Sequence, residues 1–204
     1  SGGLSACDGK RVNMGLDAEA RFDYLAPERP IPTYMPAILV EGWRFLPQSY
    51  ALVNEYQCLE ILRRGDIALY HRDKPFPPQW TTQRGLLAPE QEQRITALCA
   101  PPDGIELDAV LRIFNPFDFS PSRARHTYVF ITCETGAVST WAIRGDTTLR
   151  RALADSDVTL ITPSRWSAEG LIHDGADGKR IRIVTPGIDV ALNRPLSPVR
   201  HVTA

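Results

Sequence analysis

The chain has 204 residues, of which 43% are hydrophobic and 23% are charged, and its formal net charge is -1. This composition is typical of a single globular domain with its own core, and it lacks the basic surplus of proteins that bind nucleic acid. No run of about 18 apolar residues indicates a membrane-spanning helix. The four cysteines are widely spaced without a C-x-x-C pair, which favours a reduced, cytoplasmic compartment.

The first 71 residues predict an irregular arm followed by a strand–helix–strand unit. Residues 1–35 are weakly patterned and rich in proline. The run "PAILVEG" at 36–42 predicts a buried strand. Residues 49–65 predict a helix, with Ser49 as N-cap, Gly65 just past the end, and Leu52, Tyr56 and Leu59 on its apolar face. Residues 66–71 predict the next strand.

Strand and helix patterns continue to alternate through the rest of the chain. The predicted helices are 89–100, 147–156 and 164–175, and the predicted strands are 108–114, 127–133, 157–162 and 180–185. Strands that are apolar throughout and alternate with helices are typical of a parallel sheet covered on both faces. We therefore predict a three-layer α/β/α, Rossmann-like domain with a mostly parallel sheet over residues 36–185.

Candidate functional residues follow the predicted strands, because ligands of open parallel sheets bind beyond the carboxyl ends of the strands. Glu134 follows what should be a central strand, where a carboxylate can accept a proton from a substrate hydroxyl as general base. A structural role, pairing with an Arg or with loop amides, is the alternative. The candidate substrate-binding residues at this edge are Gly42, Trp43, Arg44, Asn115, Thr135, Ser164 and Arg165.

The junction "TPSRW" at 162–166 joins a strand to a helix. Free N–H groups at the start of a helix favour an anion, and Arg165 could hold a phosphate or carboxylate with two hydrogen bonds. The alternative is that Ser164 is an ordinary N-cap beside a solvated Arg165. Trp166 is expected to pack as an anchor between helix and loop.

Several familiar motifs are missing from the sequence. Neither a G-x-G-x-x-G dinucleotide fingerprint, nor a phosphate-binding P-loop, nor a G-x-S-x-G nucleophile elbow is present. The histidines His71, His126, His173 and His201 do not have metal-ligand spacing. We therefore expect neither a metal site nor a bound cofactor.

The segment at 156–195 resembles the middle of group 1 (GT4-type) retaining glycosyltransferases, which have the GT-B fold. Their pattern is a strand, P-S-x-x, a helix, a short basic strand, P-x-G-[VI]-D and x-R-P. The matching residues are Pro163 to Trp166, Arg182 to Val184, Pro186 to Asp189, and Asn193 to Pro195. The stretch "VFITCETG" resembles the family's strand before a catalytic His or Glu, and Gly42 with the helix after it resembles the first unit of that domain.

The resemblance implies the acceptor-side domain of a metal-independent enzyme that transfers a sugar from a nucleotide-sugar donor to a glycan or lipid-linked hydroxyl with retention. Gly42 would let the backbone approach the donor phosphates, Trp43 and Arg44 would line the acceptor cleft, and Glu134 would orient or deprotonate the acceptor. The linker at 186–204 would lead to a C-terminal donor-binding domain that these residues do not include. This chain alone should then be a poor catalyst, and the whole protein would be cytoplasmic, with a peripheral position at the inner membrane face as an option.

Two other classes of function are open at this stage. One is a non-catalytic binding or interaction module that keeps the family fold, for which the proline- and aromatic-rich segments 1–35 and 72–104 would be contact surfaces. The other is half of a two-domain nucleotide-sugar epimerase. Only the glycosyltransferase needs both an acceptor and a donor.

Overall fold

A computed structural model describes residues 34–187, and it shows a six-stranded parallel sheet with helices on both faces. The predicted three-layer α/β/α, Rossmann-like fold is thereby confirmed. The elements are, in chain order, β1 (Ala37–Gly42), α1 (Ser49–Arg64), β2 (Ala68–Asp73), α2 (Pro89–Thr96), β3 (Ala109–Ile113), β4 (His126–Phe130), α3 (Leu149–Ala154), β5 (Thr159–Thr162), α4 (Arg165–His173) and β6 (Ile181–Ile183). The predicted arm up to residue 33 and the linker from residue 188, including Asp189 and Arg194, lie outside the described residues.

The strands lie in the order β2-β1-β3-β4-β5-β6, and every neighbouring pair is parallel. The chain therefore moves outward from β1 to β2, then crosses back and continues on the other side from β3. This reversal creates a crevice between the carboxyl ends of β1 and β3, which is where ligands of open α/β sheets bind.

The core consists of apolar layers on the two faces, because successive side chains of a strand point to opposite sides. Val129 of β4 and Ile131, which directly follows β4, join a layer that includes residues of α3 and α4, whereas Phe130 joins the layer that includes residues of α1 and α2. One face of the sheet carries buried charges where β1 and β3 pair. Glu41 and Arg112 are each 6% exposed there, so the prediction that the strands are apolar throughout is wrong for β1 and β3.

Helix α1 is rotated relative to the sequence prediction. Its buried residues are Ala51, Asn54, Glu55, Cys58 and Leu59, while Tyr56 is 37% exposed. The N-cap position is Gln48 instead of Ser49, and no side chain caps the helix, whereas Gly65 ends it with φ of 72° as predicted. The polar residues Asn54 and Glu55 were not predicted to face inward, because periodicity alone treats them as solvent-facing.

Candidate functional site

A cavity of about 550 Å³ opens at the crevice between β1 and β3. Its volume lies within the range of small-molecule sites in proteins. Its walls come from the loop after β1, the start of α1, the loops after β2 and β3, and the turn before α3. Gln48, Ser49, Asn115 and three prolines contribute to its lining. We call it the aromatic cavity, because five aromatic side chains also line it: Trp43, Tyr50, Phe76, Trp80 and Trp141.

Contacts among these rings fix the shape of the aromatic cavity. The Trp43 and Trp80 ring centroids are 5.2 Å apart in an edge-to-face arrangement, and those of Trp43 and Tyr50 are 6.4 Å apart. The indole Nε1–H of Trp43 donates to the Pro75 carbonyl over 3.0 Å. Edge-to-face pairs and a satisfied indole hold Trp43 in one orientation, so the cavity presents a preformed aromatic wall.

Helix α1 positions the loop that carries Trp43. Asn54 donates from Nδ2 to the Trp43 carbonyl over 2.7 Å, and Glu55 accepts a 2.6 Å hydrogen bond from the Phe45 amide. Phe45 has a positive φ of 59°, which is uncommon for a bulky residue, so the Glu55 contact stabilises a strained turn. Burial raises the pKa of Glu55, an effect that the hydrogen bond from Phe45 partly opposes.

The predicted substrate residue Gly42 is used for packing. A Cβ at this position would stand 2.8 Å from the Ile113 carbonyl oxygen and 3.0 Å from Cγ of Asn54. Only glycine therefore lets β3 and α1 approach β1 this closely. This packing accounts for the glycine without a contact to a donor phosphate.

Arg44, also a predicted substrate residue, is held by four hydrogen bonds. Its Nε and Nη2 donate to the two carboxylate oxygens of Asp73, and its Nη1 donates to the carbonyls of Ile95 and Leu98. The side chain is only 13% exposed. The guanidinium thus ties the loop after β1 to β2 and the end of α2, and we assign it a structural role.

The Arg44–Asp73 pair sits beside the buried histidine His71. Burial alone would raise the pKa of Asp73, but hydrogen bonding to Arg44 and its positive charge lower this pKa below its usual value. Burial, together with the charge of Arg44, lowers the pKa of His71 to about 4. Nδ2 of Asn54 lies 2.8 Å from Nε2 of His71, so the neutral ring accepts there and carries its proton on Nδ1, which lies 3.5 Å from Asp73.

Glu134 and Thr135 lie on the exposed loop after β4. Among residues 34–187, no hydrogen bond or ion pair engages the Glu134 carboxylate. The Tyr50 hydroxyl lies 3.0 Å from the Thr132 hydroxyl on the same loop. Burial raises the pKa of Tyr50, its hydrogen bonds with Thr132 oppose this rise, and the negative charge of Glu134 adds to it.

The start of α4 packs directly against the loop that carries Glu134. The Cys133 amide donates to the Ser167 hydroxyl over 2.8 Å, and a Cβ on Gly170 would stand 2.6 Å from the Cys133 sulfur. Ser164 caps the helix by accepting from the Ser167 amide, as its N-cap alternative predicts. The Ser164–Arg165 turn and Glu134 therefore lie on adjacent loops of the same edge.

Arg165 and Trp166 point into solvent. Trp166 is 64% exposed, so its predicted role as a packed anchor is wrong. Within the described part of the chain nothing hydrogen-bonds the Arg165 guanidinium. We call the exposed set Glu134, Thr135, Arg165 and Trp166 the rim.

The structure thus divides the predicted site residues. Trp43 and Asn115 line the aromatic cavity, Gly42 and Arg44 support its walls, and Glu134, Thr135, Ser164 and Arg165 lie along the neighbouring loops. Sequence reasoning missed most of the lining residues, of which Tyr50, Phe76, Trp80 and Trp141 are the largest. The signal for Phe76 and Trp80 was the proline- and aromatic-rich segment after β2, whereas Tyr50 was assigned only to a helix and Trp141 carried no signal.

A second open groove, of about 580 Å³, lies beside α2. Its lining residues all come from the connection between β2 and β3, and none directly follows a strand. It therefore lacks the position that makes the crevice between β1 and β3 a ligand site. Within residues 34–187, His, Cys, Asp and Glu form no group of three that could hold a metal ion. None of the helices in that range is long and apolar enough to cross a bilayer.

No family model, no curated protein and no solved structure matches this chain. The assignment of a function therefore rests on the fold, the geometry of this edge and the sequence motifs.

Proposed function

We propose that this chain is the acceptor-side domain of a retaining glycosyltransferase that moves a sugar from a nucleotide-sugar donor to a hydroxyl of a glycan or lipid-linked acceptor. The observation that carries the proposal is the aromatic cavity at the crevice between β1 and β3. Aromatic faces bear partial negative charge, and the C–H groups on the face of a sugar ring are partly positive, so the two surfaces attract. The resemblance of residues 156–195 to group 1 glycosyltransferases supports the same function.

The sugar ring of the acceptor would fill the aromatic cavity, with the polar groups of Gln48, Ser49 and Asn115 available to its hydroxyls. In the transfer step, the acceptor oxygen forms a bond to the anomeric carbon of the donor sugar. The bond from that carbon to the donor phosphate breaks, and the nucleoside diphosphate leaves with the bonding electrons. Glu134 would orient the acceptor hydroxyl or take its proton, since its carboxylate is exposed and unpaired within the described chain.

A carbohydrate-binding module without transfer activity is the second candidate. The observation that favours it is the structural use of Gly42 and Arg44, two of the residues that the family resemblance places against the substrates. Binding in the aromatic cavity would be the same in both cases. Only the enzyme depends on a donor and on Glu134.

The test is a transfer screen with the complete encoded protein, a panel of nucleotide-sugar donors and a panel of glycan acceptors, followed by mass spectrometry. The proposal predicts an acceptor product heavier by one sugar residue, and it predicts that Glu134→Gln lowers its rate at least about 100-fold, as expected for loss of a general base. Glu169→Gln, an exposed carboxylate on α4, is the matched control and should leave the rate unchanged. Acceptor binding without any product would favour the binding module, and a product rate indifferent to Glu134→Gln would remove the base role.

A further inference from the structure

A smaller cavity of about 290 Å³ adjoins the aromatic cavity. Trp43 and Phe76 line both, so these two rings form the boundary between the two spaces. Apart from Phe45, the other lining residues are polar or charged, and we call this space the basic cavity. These residues are Arg44, Asp73, Lys74, Thr82, Arg84 and Thr96. Three cations and one carboxylate line this cavity, and two further carboxylates, Glu92 and Glu41, pair with Arg84 and Lys74 from outside the lining.

The three cations differ in how many protein groups already bind them. Arg44 is held by Asp73 and two carbonyls, which also neutralises Asp73. Arg84 stacks 3.5 Å from the centroid of Phe45, and its Nη1 donates to the Thr96 hydroxyl and to Glu92. Both guanidiniums are therefore fixed in place as parts of the cavity wall.

Lys74 is the cation best placed to bind a ligand. Its ammonium lies 4.8 Å from the centroid of Phe114 and forms an ion pair with Oε1 of Glu41 at 3.8 Å, a distance too long for a hydrogen bond. Glu41 is already engaged by hydrogen bonds from Arg72 and Arg112 at 3.1 Å each. The Lys74 side chain is 22% exposed, and within residues 34–187 its ammonium makes no hydrogen bond, so its N–H groups can donate to a ligand.

The aromatic cavity offers no such partner for charge. Tyr50 is its only ionisable lining residue among those described, and burial raises the pKa of this phenol, which keeps it neutral. A charged group of a ligand would lose hydration in the aromatic cavity without gaining a counter-ion, which is unfavourable. The two spaces therefore suit different parts of one molecule.

We propose that the two cavities bind one anionic acceptor, with a sugar ring in the aromatic cavity and a phosphate ester of that sugar beside Lys74 in the basic cavity. This inference rests on the proposed function, because it specifies the chemical class of the acceptor. The same chemistry is present in a free sugar phosphate and in a lipid-linked sugar phosphate. The former carries a phosphate monoester and the latter a diester.

The test is a titration of the chain in which amide chemical shifts report binding. The four probes are methyl glucoside, inorganic phosphate, glucose 1-phosphate and the octyl diester of glucose 1-phosphate. We expect a phosphorylated sugar to bind at least about tenfold more tightly than methyl glucoside or inorganic phosphate, and to lose this advantage as salt rises. The tighter of the two esters then identifies the source as a free or a lipid-linked sugar phosphate.

Variants of Lys74 separate the charge from the ring. Lys74→Gln should weaken the phosphorylated sugars about tenfold while leaving methyl glucoside unchanged, and Lys74→Arg should retain most of the affinity. Lys179→Gln, in the turn before β6, is the matched control and should have no effect. If Lys74→Gln fails to fold, shifts of the Lys74 and Thr82 amides in the wild type give the same information.

Three results would overturn the inference. If methyl glucoside binds as tightly as its phosphorylated counterparts, the phosphate has no site, while the proposed function stands. If inorganic phosphate binds as tightly as glucose 1-phosphate, the two cavities do not act on one ligand. If none of the four probes binds, both this inference and the acceptor site of the proposed function fail.

Discussion

The aromatic cavity and the rim lie at the same edge of one sheet, but their polar groups are used in opposite ways. Around the cavity, the side chains of Arg44, Asn54 and Glu55 hold the loop after β1. On the rim, within the described chain, neither Glu134 nor Arg165 has a hydrogen-bonding partner. The position after a strand therefore identifies the edge where ligands bind, and the neighbouring elements decide whether a side chain builds that edge or is available to a ligand.

Loss of a buried charge beneath the cavity should have the largest effect on stability. The Arg112 side chain is 7% exposed, pairs with Glu41 at 3.1 Å, and donates to the carbonyls of Asp118 and Ser120. We expect Arg112→Met to lower the free energy of unfolding by about 3 kcal/mol, because Glu41 keeps only Arg72 as a donor and two carbonyls lose the guanidinium. Urea unfolding measures this change.

The control for that variant is Arg125→Met. Arg125 pairs with Asp108 over 3.5 Å and is 66% exposed, so its removal should cost less than about 0.5 kcal/mol. Equal losses for the two variants would show that the charges beneath the cavity are no more important for stability than a surface pair.

Acid should destabilise the cavity side through His71. Its pKa is about 4 in the folded chain and about 6.5 when unfolded, so the unfolded state binds the proton more readily. The stability that the neutral ring contributes is complete above pH 6.5 and is lost as the pH falls toward 4. The loss amounts to about 3 kcal/mol, seen as a falling urea midpoint.

His71→Gln should remove most of this pH dependence between pH 7 and 4.5. His173→Gln, at the exposed end of α4, should keep it. Asp73 does not interfere, because its lowered pKa affects stability only as the pH falls through and below about 3.8. Glu55, whose pKa burial raises, acts in the opposite direction but equally in both proteins, so a His71→Gln profile that matches the wild type would contradict the burial of a neutral His71.

Close packing at the end of β1 should be sensitive to a single methyl group. Gly42→Ala places a Cβ 2.8 Å from a backbone oxygen that cannot move independently of β3. We expect a loss of about 1–3 kcal/mol in urea unfolding, as for other overpacked sites. Gly187→Ala, which has open space around it, should be neutral, and a neutral Gly42→Ala would mean that the contact is not rigid.

Substitutions on the rim should have the smallest effect on stability. Glu134→Gln, Arg165→Gln and Trp166→Ala remove exposed side chains without hydrogen-bonded partners in the described chain. We expect each to change the free energy of unfolding by less than about 0.5 kcal/mol. A larger loss in calorimetry for any of them would place that residue among the supports of the fold.

Strand and helix positions were largely predictable, because apolar runs and helical periodicity carry the burial signal for β1, β4, α1 and α4. Gly65 as a helix end and Ser164 as an N-cap followed from their local chemistry. The roles of Arg44 and Gly42 were not predictable, since they depend on Asp73 and Ile113, which the sheet brings close from distant parts of the chain. Trp141 was missed because its place beside Asn115 and Pro116 depends on the tertiary fold alone.

The most direct test of the central claim measures the binding of a neutral oligosaccharide acceptor to the chain by calorimetry. It compares the variants Trp80→Ala and Trp166→Ala. Trp80 lines the aromatic cavity against Trp43, whereas Trp166 is exposed on the rim. The account predicts that Trp80→Ala weakens binding at least about tenfold, as expected for loss of an aromatic contact, while Trp166→Ala leaves it unchanged. Binding that survives Trp80→Ala but is lost in Trp166→Ala would contradict the assignment of the aromatic cavity as the acceptor site.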